Sequence, residues 1–331
     1  MAEAYIKNCY PAIAGALSFV SCRVPFSLFD TLIISVIIAF IGSIILIFMR
    51  KISFVRWIKV VFSSILWLVS WFYMAWGIAY FRPGFYERFG IEPPVEDTVY
   101  FEALVCRYID SLNRSYIADP HFDINKIDEA IETEYQMFSK QLNIPYPNGK
   151  RRTKSSVIEG LMTRSGVAGF FGPFFNEEHV NYFQLPVSYP FSSAHEKAHQ
   201  FGIANESECN LYASIICCSN EDSLVRYSGY LTTVKYLLNN LRKISPQKYR
   251  ETVKKVDSCI IDDYKKISAH WQKALNPTLS SMQDKVYDNY LKTNKQQSGI
   301  LSYSEMTTLL VAWELSRKSR EMTKLCCPQK Q

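Results

Sequence analysis

Two long stretches without a charged side chain limit what this chain can fold into. Residues 31–49, TLIISVIIAFIGSIILIFM, and residues 60–81, VVFSSILWLVSWFYMAWGIAYF, contain no Asp, Glu, Lys or Arg. A helix needs about 20 apolar residues to cross the hydrocarbon core of a bilayer. A buried core helix is the alternative, but surface or core helices of that length usually carry charge. We therefore expect two N-terminal transmembrane helices within residues 31–81.

The connector between the two stretches predicts their orientation. Residues 50–59, RKISFVRWIK, contain Arg and Lys but no acidic residue. Short basic loops stay on the cytoplasmic side of a membrane. Both flanks then lie outside, so we expect residues 82–331 to be extracytoplasmic in a multi-pass protein of the cell inner (cytoplasmic) membrane. Trp76 and Tyr80 fit an aromatic belt at the outer end of the second span.

The first 30 residues do not read as a third span. YPAIAGALSFVSC, residues 10–22, is apolar but too short to cross a bilayer. It also lacks the basic start and small-residue cleavage site of a signal peptide. We expect residues 1–30 to form an amphipathic or membrane-lying segment. Nothing before it would carry the N-terminus across the membrane, so an upstream segment missing from this sequence is an open alternative.

The remaining part, residues 82–331, has the pattern of one mostly helical domain. Apolar residues recur every three or four positions in residues 99–142 and again from residue 192 onward. Only residues 167–189 read as strands. The fold class is therefore α+β, mostly helical. The net charge of +6 comes partly from residues beside the spans, and no nucleic-acid motif is present, so we expect no nucleic-acid partner.

One short motif carries chemistry, and it lies in SSAHEKAHQFGIANESECN, residues 192–210. His195, Glu196 and His199 fit H-E-x-x-H. Residues four apart project from one face of a helix, so the two imidazoles can bind one Zn²⁺. The glutamate between them is placed to accept a proton from water. The alternative is a solvated charged helix with incidental histidines.

The residues after the motif supply a third ligand. Gly202 can end the first helix, and Asn205 can cap a second one. Glu206 opens that second helix, and Asn210 lies one turn later on the same face. We predict zinc ligation by Glu206, with Asn210 orienting a ligating histidine. Glu208 is the second choice for the third ligand.

Several segments resemble a bacterial membrane family known as domain of unknown function 3810. They include YPAIAGALSFVSCRVPFSLFD, WGIAYFRPGFYERFGI, GFFGPFFNEEHVNYFQLPVSYPFSSAHEKAHQFGIANESECN, YSGY and YLKTNKQQSGILSYSEM, so the resemblance covers nearly the whole chain. It implies a gluzincin-like metallopeptidase with a zincin-like domain over residues 82–331. The implied ligands are His195, His199 and Glu206, with Glu196 as base. Cys209 replaces the usual Ala and Asn205 an Arg, and the family usually has a further span before the Tyr-Pro segment.

A peptidase also needs a donor that stabilises the oxyanion. The candidates are Tyr227, Tyr230, Tyr303, His179 and His270. We rank Tyr227 and Tyr303 first, because their segments carry the resemblance. The resulting prediction is a membrane-anchored zinc peptidase whose partners are a peptide or protein substrate and the lipid bilayer. The alternative is a non-catalytic membrane protein that keeps a structural metal site or binds peptides; a fourth protein ligand, Glu208 or Cys209, would favour it.

Overall fold

The structure is a computed structural model that describes residues 1–95, 97–147, 149–293 and 302–326. These residues are mostly helical and contain one two-stranded antiparallel sheet, as the sequence pattern predicts. The elements in chain order are α1 Ala2–Asn8, α2 Tyr10–Ser21, α3 Leu28–Phe48, α4 Phe54–Ala75, α5 Phe85–Phe89, α6 Thr98–Ser115, α7 Ile124–Phe138, α8 Glu159–Ser165, β1 Gly169–Gly172, β2 Glu177–Val180, α9 Tyr189–Gln200, α10 Glu206–Ser219, α11 Ser223–Ile244, α12 Pro246–Thr252, α13 Ser258–Ala274, α14 Pro277–Thr293 and α15 Ser302–Cys326.

Among the helices of the described residues, α3 and α4 are long and apolar enough to cross a membrane. The apolar stretch of α3 is 0% buried in the structure and that of α4 is 6% buried. Neither helix is therefore a core helix of this domain. The 21 residues of α3 extend for about 31 Å, which matches the hydrocarbon core of a bilayer. Trp57 Nε1 donates to Ser43 Oγ at 2.8 Å and joins the two helices near their connection.

The second apolar helix does not have the predicted bounds. It begins at Phe54, inside the basic connector, because the Ser53 side chain caps it by accepting from Arg56 N. It ends at Ala75, and a short 3-10 turn follows over Gly77–Phe81. Trp76 and Tyr80 are 4% and 8% exposed, so their predicted place in a lipid-facing aromatic belt is wrong. They pack against the N-terminal helices instead.

Residues 1–30 contribute α1, α2 and the start of α3. Ile6 and Tyr10 are buried in a small apolar cluster that also contains Trp76 and Tyr80. The Tyr10 hydroxyl donates to the carbonyl of Gln200 at 2.7 Å. Phe19, near the end of α2, remains 59% exposed. One face of this segment is therefore part of the folded domain, which the amphipathic pattern alone did not indicate.

The main core lies around α9, α10 and α11, with α6, α7 and α15 packed on them. The strand-like region 167–189 forms only β1 and β2; residues 182–188 are turns that lead into α9. In the sheet Gly169 pairs with Val180 and Gly172 with Glu177. Both strands contact α9. Helices α12 and α13 are separated by a 3-10 turn over Val253–Lys255 and by Val256 and Asp257.

Candidate metal centre

A tight turn between α9 and α10 brings two helix ends together. Gly202 follows α9 with φ of 82°, a left-handed conformation that favours glycine. A Cβ there would lie 3.1 Å from the ring of Tyr10, so the position also has little space. Asn205 then caps α10, its side chain accepting from Glu208 N at 2.9 Å. This turn directs the first residue of α10, Glu206, back toward α9.

The turn places His195, His199 and Glu206 in one cluster. The Nε2 atom of His195 lies 3.1 Å from Glu206 Oε2, and that of His199 lies 3.4 Å from Glu206 Oε1. One ligand atom from each residue falls within 4.8 Å of the others. Two imidazole nitrogens and one carboxylate oxygen are a donor set that suits Zn²⁺ and leaves a fourth position open. The residues present therefore fit a zinc ion.

Hydrogen bonds orient both histidines. His199 Nδ1 lies 2.8 Å from the carbonyl oxygen of Ile203, and since a carbonyl can only accept, Nδ1 carries the proton. His195 Nδ1 lies 3.0 Å from Asn210 Oδ1. Both Nε2 atoms are thereby left facing Glu206. Such contacts fix the tautomer of a metal-binding histidine. Asn210 contacts His195, as its spacing from Glu206 on one helix face predicted.

Burial and charge act differently on the two glutamates of the site. Burial opposes ionisation of Glu206, but His199 and His195 outweigh it and hold the pKa of Glu206 well below its usual value. An ionised carboxylate is the form that binds a cation. Burial raises the pKa of Glu196, although both histidines oppose the rise. A carboxyl with a raised pKa is better matched to accepting and returning a proton near neutral pH.

Strand β1 passes directly against Glu196. A Cβ added at Gly169 would lie 2.9 Å from Glu196 Oε1 and 2.8 Å from the carbonyl oxygen of His179. Only glycine therefore allows the strand to approach the carboxylate so closely. Among the described residues β1 pairs on one side only, with β2.

Two nearby side chains are not members of the cluster. The carboxylate of Glu208 faces Arg88, whose Nη1 donates to Glu208 Oε1 at 3.3 Å. The Sγ atom of Cys209 lies 3.3 Å from His199 Nδ1, the nitrogen that points away from Glu206. Within the described ranges the cluster therefore offers three ligands, and neither candidate for a fourth is directed at it.

The predicted oxyanion donors are elsewhere or undescribed. Tyr227 is fully buried, and its hydroxyl donates to Asp263 Oδ2 at 2.7 Å. This contact engages the hydroxyl with α13 and does not support the predicted catalytic role of Tyr227. The side chain of Tyr303 lies outside the described residues. His179 Nε2 contacts Ser27 Oγ, His270 Nε2 contacts the carbonyl of Phe183, and Tyr230 packs on Tyr108.

The structure adds Tyr287, which the sequence reasoning missed. Its hydroxyl donates to Glu206 Oε1 at 2.6 Å, across 81 residues of sequence. Burial raises the pKa of Tyr287, and the carboxylate of Glu206 raises it further, so the hydroxyl stays protonated and can donate. Tyr287 lies on α14, whose amphipathic pattern predicted the helix but gave no sign that this tyrosine reaches Glu206.

Comparison with known proteins identifies a family. A family model described as "Protein of unknown function (DUF3810)" matches residues 5–311. No curated protein and no solved structure matches the chain. The matched range includes α3, α4, the sheet, the cluster and α14.

Proposed function

The chain belongs to the DUF3810 family of proteins of unknown function, and on that premise we propose that it is a membrane-anchored, zinc-dependent peptidase of the gluzincin type. The observation that carries the proposal is the cluster of His195, His199 and Glu206 beside Glu196. A three-ligand site leaves a position for water, as catalytic zinc sites do, whereas structural sites usually have four protein ligands. Glu208 and Cys209 are not directed at the cluster, which supports a catalytic site over a structural one.

The chain's own residues account for the proton transfers. A zinc ion held by the cluster would supply Lewis-acid polarisation of water and of the substrate carbonyl. Glu196 accepts a proton from the attacking water as the C–O bond forms. It then gives that proton to the amine nitrogen as the peptide C–N bond breaks. Tyr287 has a single hydroxyl proton, which it donates to Glu206 Oε1. With Glu206 engaged as a ligand, this hydrogen bond would pass from the carboxylate to a developing oxyanion nearby.

Strand β1 gives an extended substrate a backbone to pair with. Its open edge and its contact with Glu196 through Gly169 place peptide groups next to the proposed base. An extended peptide that adds to a sheet edge forms main-chain hydrogen bonds and needs no particular side chains for them. This arrangement favours hydrolysis of peptide bonds over hydrolysis of small esters.

We expect zinc binding to depend on three residues. The purified wild-type chain should contain about one zinc ion, whereas His195→Ala, His199→Ala and Glu206→Gln should lose most of it, because each removes one of three ligands. Glu208→Gln is the matched control for Glu206→Gln: it should destabilise the fold by breaking the pair with Arg88 but keep the metal. The measurement is metal analysis by mass spectrometry; full zinc content in the histidine variants would refute the site.

We also expect Tyr287→Phe to lower the turnover number by about 10²-fold, since it removes one donor next to the reacting atoms. Tyr227→Phe removes the equivalent hydroxyl group, which in the wild type is buried and donates to Asp263. It should reduce the melting temperature and leave the turnover of the folded protein unchanged. Turnover is measured on a mixed peptide library by mass spectrometry. Equal losses of turnover in the two variants would contradict the assignment of Tyr287.

For the membrane, we propose that α3 and α4 both cross the inner membrane, with the connector around Arg50 and Lys51 in the cytoplasm and residues 82–331 outside. Their exposed apolar surfaces and the one-sided basic charge support this orientation. Alkaline phosphatase fused after Gln331 should be active, because it folds only outside the cytoplasm. A fusion that is inactive there, while a cytoplasmic reporter at the same position is active, would reverse the topology.

A further inference from the structure

The β1–β2 hairpin is joined directly to the start of α3. Glu177 of β2 is buried, and its two carboxylate oxygens accept from Leu28 N at 3.1 Å and from Phe29 N at 2.9 Å. A carboxylate at this position satisfies the free N–H groups of the first helical turn and matches its dipole. Lys154 pairs with the same carboxylate and also donates to the carbonyl of Phe26 at 2.8 Å. The start of the first apolar helix is thus fixed to the sheet.

The end of α4 is fixed to the same hairpin and to the metal-binding helix. Trp71 Nε1 donates to the carbonyl of Phe174, in the hairpin turn, at 3.2 Å. Trp76 Nε1 donates to the carbonyl of His199 at 2.8 Å. One metal ligand therefore lies one hydrogen bond away from the end of the second apolar helix. The start of α3 and the end of α4 therefore both lie at the proposed catalytic site.

Strand β1 runs from the proposed base toward the apolar helices. At its start Gly169 touches Glu196, and at its end a Cβ on Gly172 would lie 3.2 Å from Phe29. Three residue steps along a strand cover about 10 Å. The edge of β1 therefore connects the site of proton transfer with the first turn of α3.

The exposed apolar surface of α3 begins just beyond that point. Ile33 on α3 is 43% exposed and Trp67 on α4 is 62% exposed. Ile33 is four residues after Phe29, or about 6 Å along the helix axis. Followed along β1 and then along α3, the path from the proposed base to the start of that surface is about 16 Å, which is about five residues of extended chain.

From this geometry we infer a substrate class: a polypeptide anchored in the same bilayer on the N-terminal side of its scissile bond, cut about five residues from the membrane surface. The inference rests on the proposed peptidase function. Antiparallel pairing is more stable than parallel pairing. A chain antiparallel to β1 begins at Gly172, beside Phe29, and ends at Gly169, beside Glu196. Its N-terminal side therefore lies toward the bilayer.

The test uses the full zinc-loaded chain in vesicles of phosphatidylethanolamine and phosphatidylglycerol. One mixed-sequence peptide library is offered in four forms: N-palmitoylated, carrying a lipid at the C-terminus, without lipid, and N-palmitoylated through a long Gly-Ser spacer. Initial rates and cut positions are read by mass spectrometry. The spacer form keeps the peptide on the vesicle surface, so it separates reach along β1 from a simple rise in local concentration.

We expect the directly N-palmitoylated form to be cut at least about tenfold faster than the other three forms, with cuts clustered about five residues from the lipid. Equal rates for the free or spacer form, or a preference for the C-terminal lipid, would overturn the inference and leave the peptidase intact. If no form is cut by the zinc-loaded chain, the proposed function itself falls, and the inference with it.

A second readout does not need turnover. The Glu196→Gln variant is incubated with the N-palmitoylated peptide carrying a photoreactive benzoylphenylalanine four residues from the lipid. Irradiation should attach the peptide to residues 169–172. Attachment confined to other parts of the chain would contradict the proposed path along β1.

Discussion

Replacing Glu196 with glutamine is expected to lower the turnover number by about 10²–10⁴-fold while the zinc content stays that of the wild type. Glutamine keeps the shape of the side chain but cannot accept the proton of the attacking water. Because Glu196 lies beside the cluster and is not one of its ligands, the metal should remain. The loss should appear in kcat with little change in KM, since proton transfer belongs to the transition state.

The matched control is Glu134→Gln. Glu134 lies on α7 and is 5% exposed, close to the 7% of Glu196, and burial raises its pKa as well. The same substitution there should leave turnover unchanged. Both variants are assayed on the mixed peptide library with metal analysis of each sample. Wild-type turnover in Glu196→Gln would show that another group accepts the proton.

Lys197→Met should destabilise the fold by about 3–5 kcal/mol, which is typical when one partner of a buried ion pair is removed. The Lys197 ammonium is buried between three carboxylates: Asp128 Oδ1 at 2.7 Å, Glu132 Oε2 at 3.1 Å and Glu178 Oε2 at 3.1 Å. These contacts join α9 to α7 and β2. Glu178 is 0% exposed, and among the described residues Lys197 is the cation that pairs with its carboxylate, so Lys197→Met leaves that charge unpaired there.

The loss of stability caused by Lys197→Met should depend on pH. Burial already raises the pKa of Glu178 to about 7 in the presence of Lys197, and removing the cation raises it further. When a carboxyl has a higher pKa in the folded state than in the unfolded chain, the free energy of unfolding falls as the pH increases, since the unfolded chain ionises first. The destabilisation by Lys197→Met should therefore be larger at pH 8 than at pH 5.

Melting temperatures of the detergent-purified chain at the two pH values give the measurement. Adding Glu178→Gln to Lys197→Met should recover part of the loss, because it removes the stranded charge. Lys265→Met is the control, because Lys265 is 71% exposed and its partner Asp262 is 58% exposed. Such exposed ion pairs contribute little to stability. A melting temperature for Lys197→Met equal to that of the control would show that the buried network does not stabilise α9.

The amino-acid sequence determined the features that depend on neighbouring residues. The two apolar helices follow from runs without charge, and the candidate metal site follows from spacings of one helical turn. His195 and His199 share a face of α9, Glu206 and Asn210 share a face of α10, and Gly202 and Asn205 define the turn between them. Such periodicities are local, so they can be recognised without knowing what packs on the helix.

Only the tertiary structure decided which distant elements meet at the site. Tyr287 reaches Glu206 across 81 residues, and Trp76 reaches the carbonyl of His199 across 123. The contact of Gly169 with Glu196 and the burial of Lys197 likewise depend on how α9 packs. No local pattern encodes these contacts, because an amphipathic helix or a short strand shows which face is buried but not against which partner. The sequence could therefore predict that His195, His199 and Glu206 lie together, whereas the contact of Tyr287 with Glu206 and the contact of α4 with α9 required the packed structure.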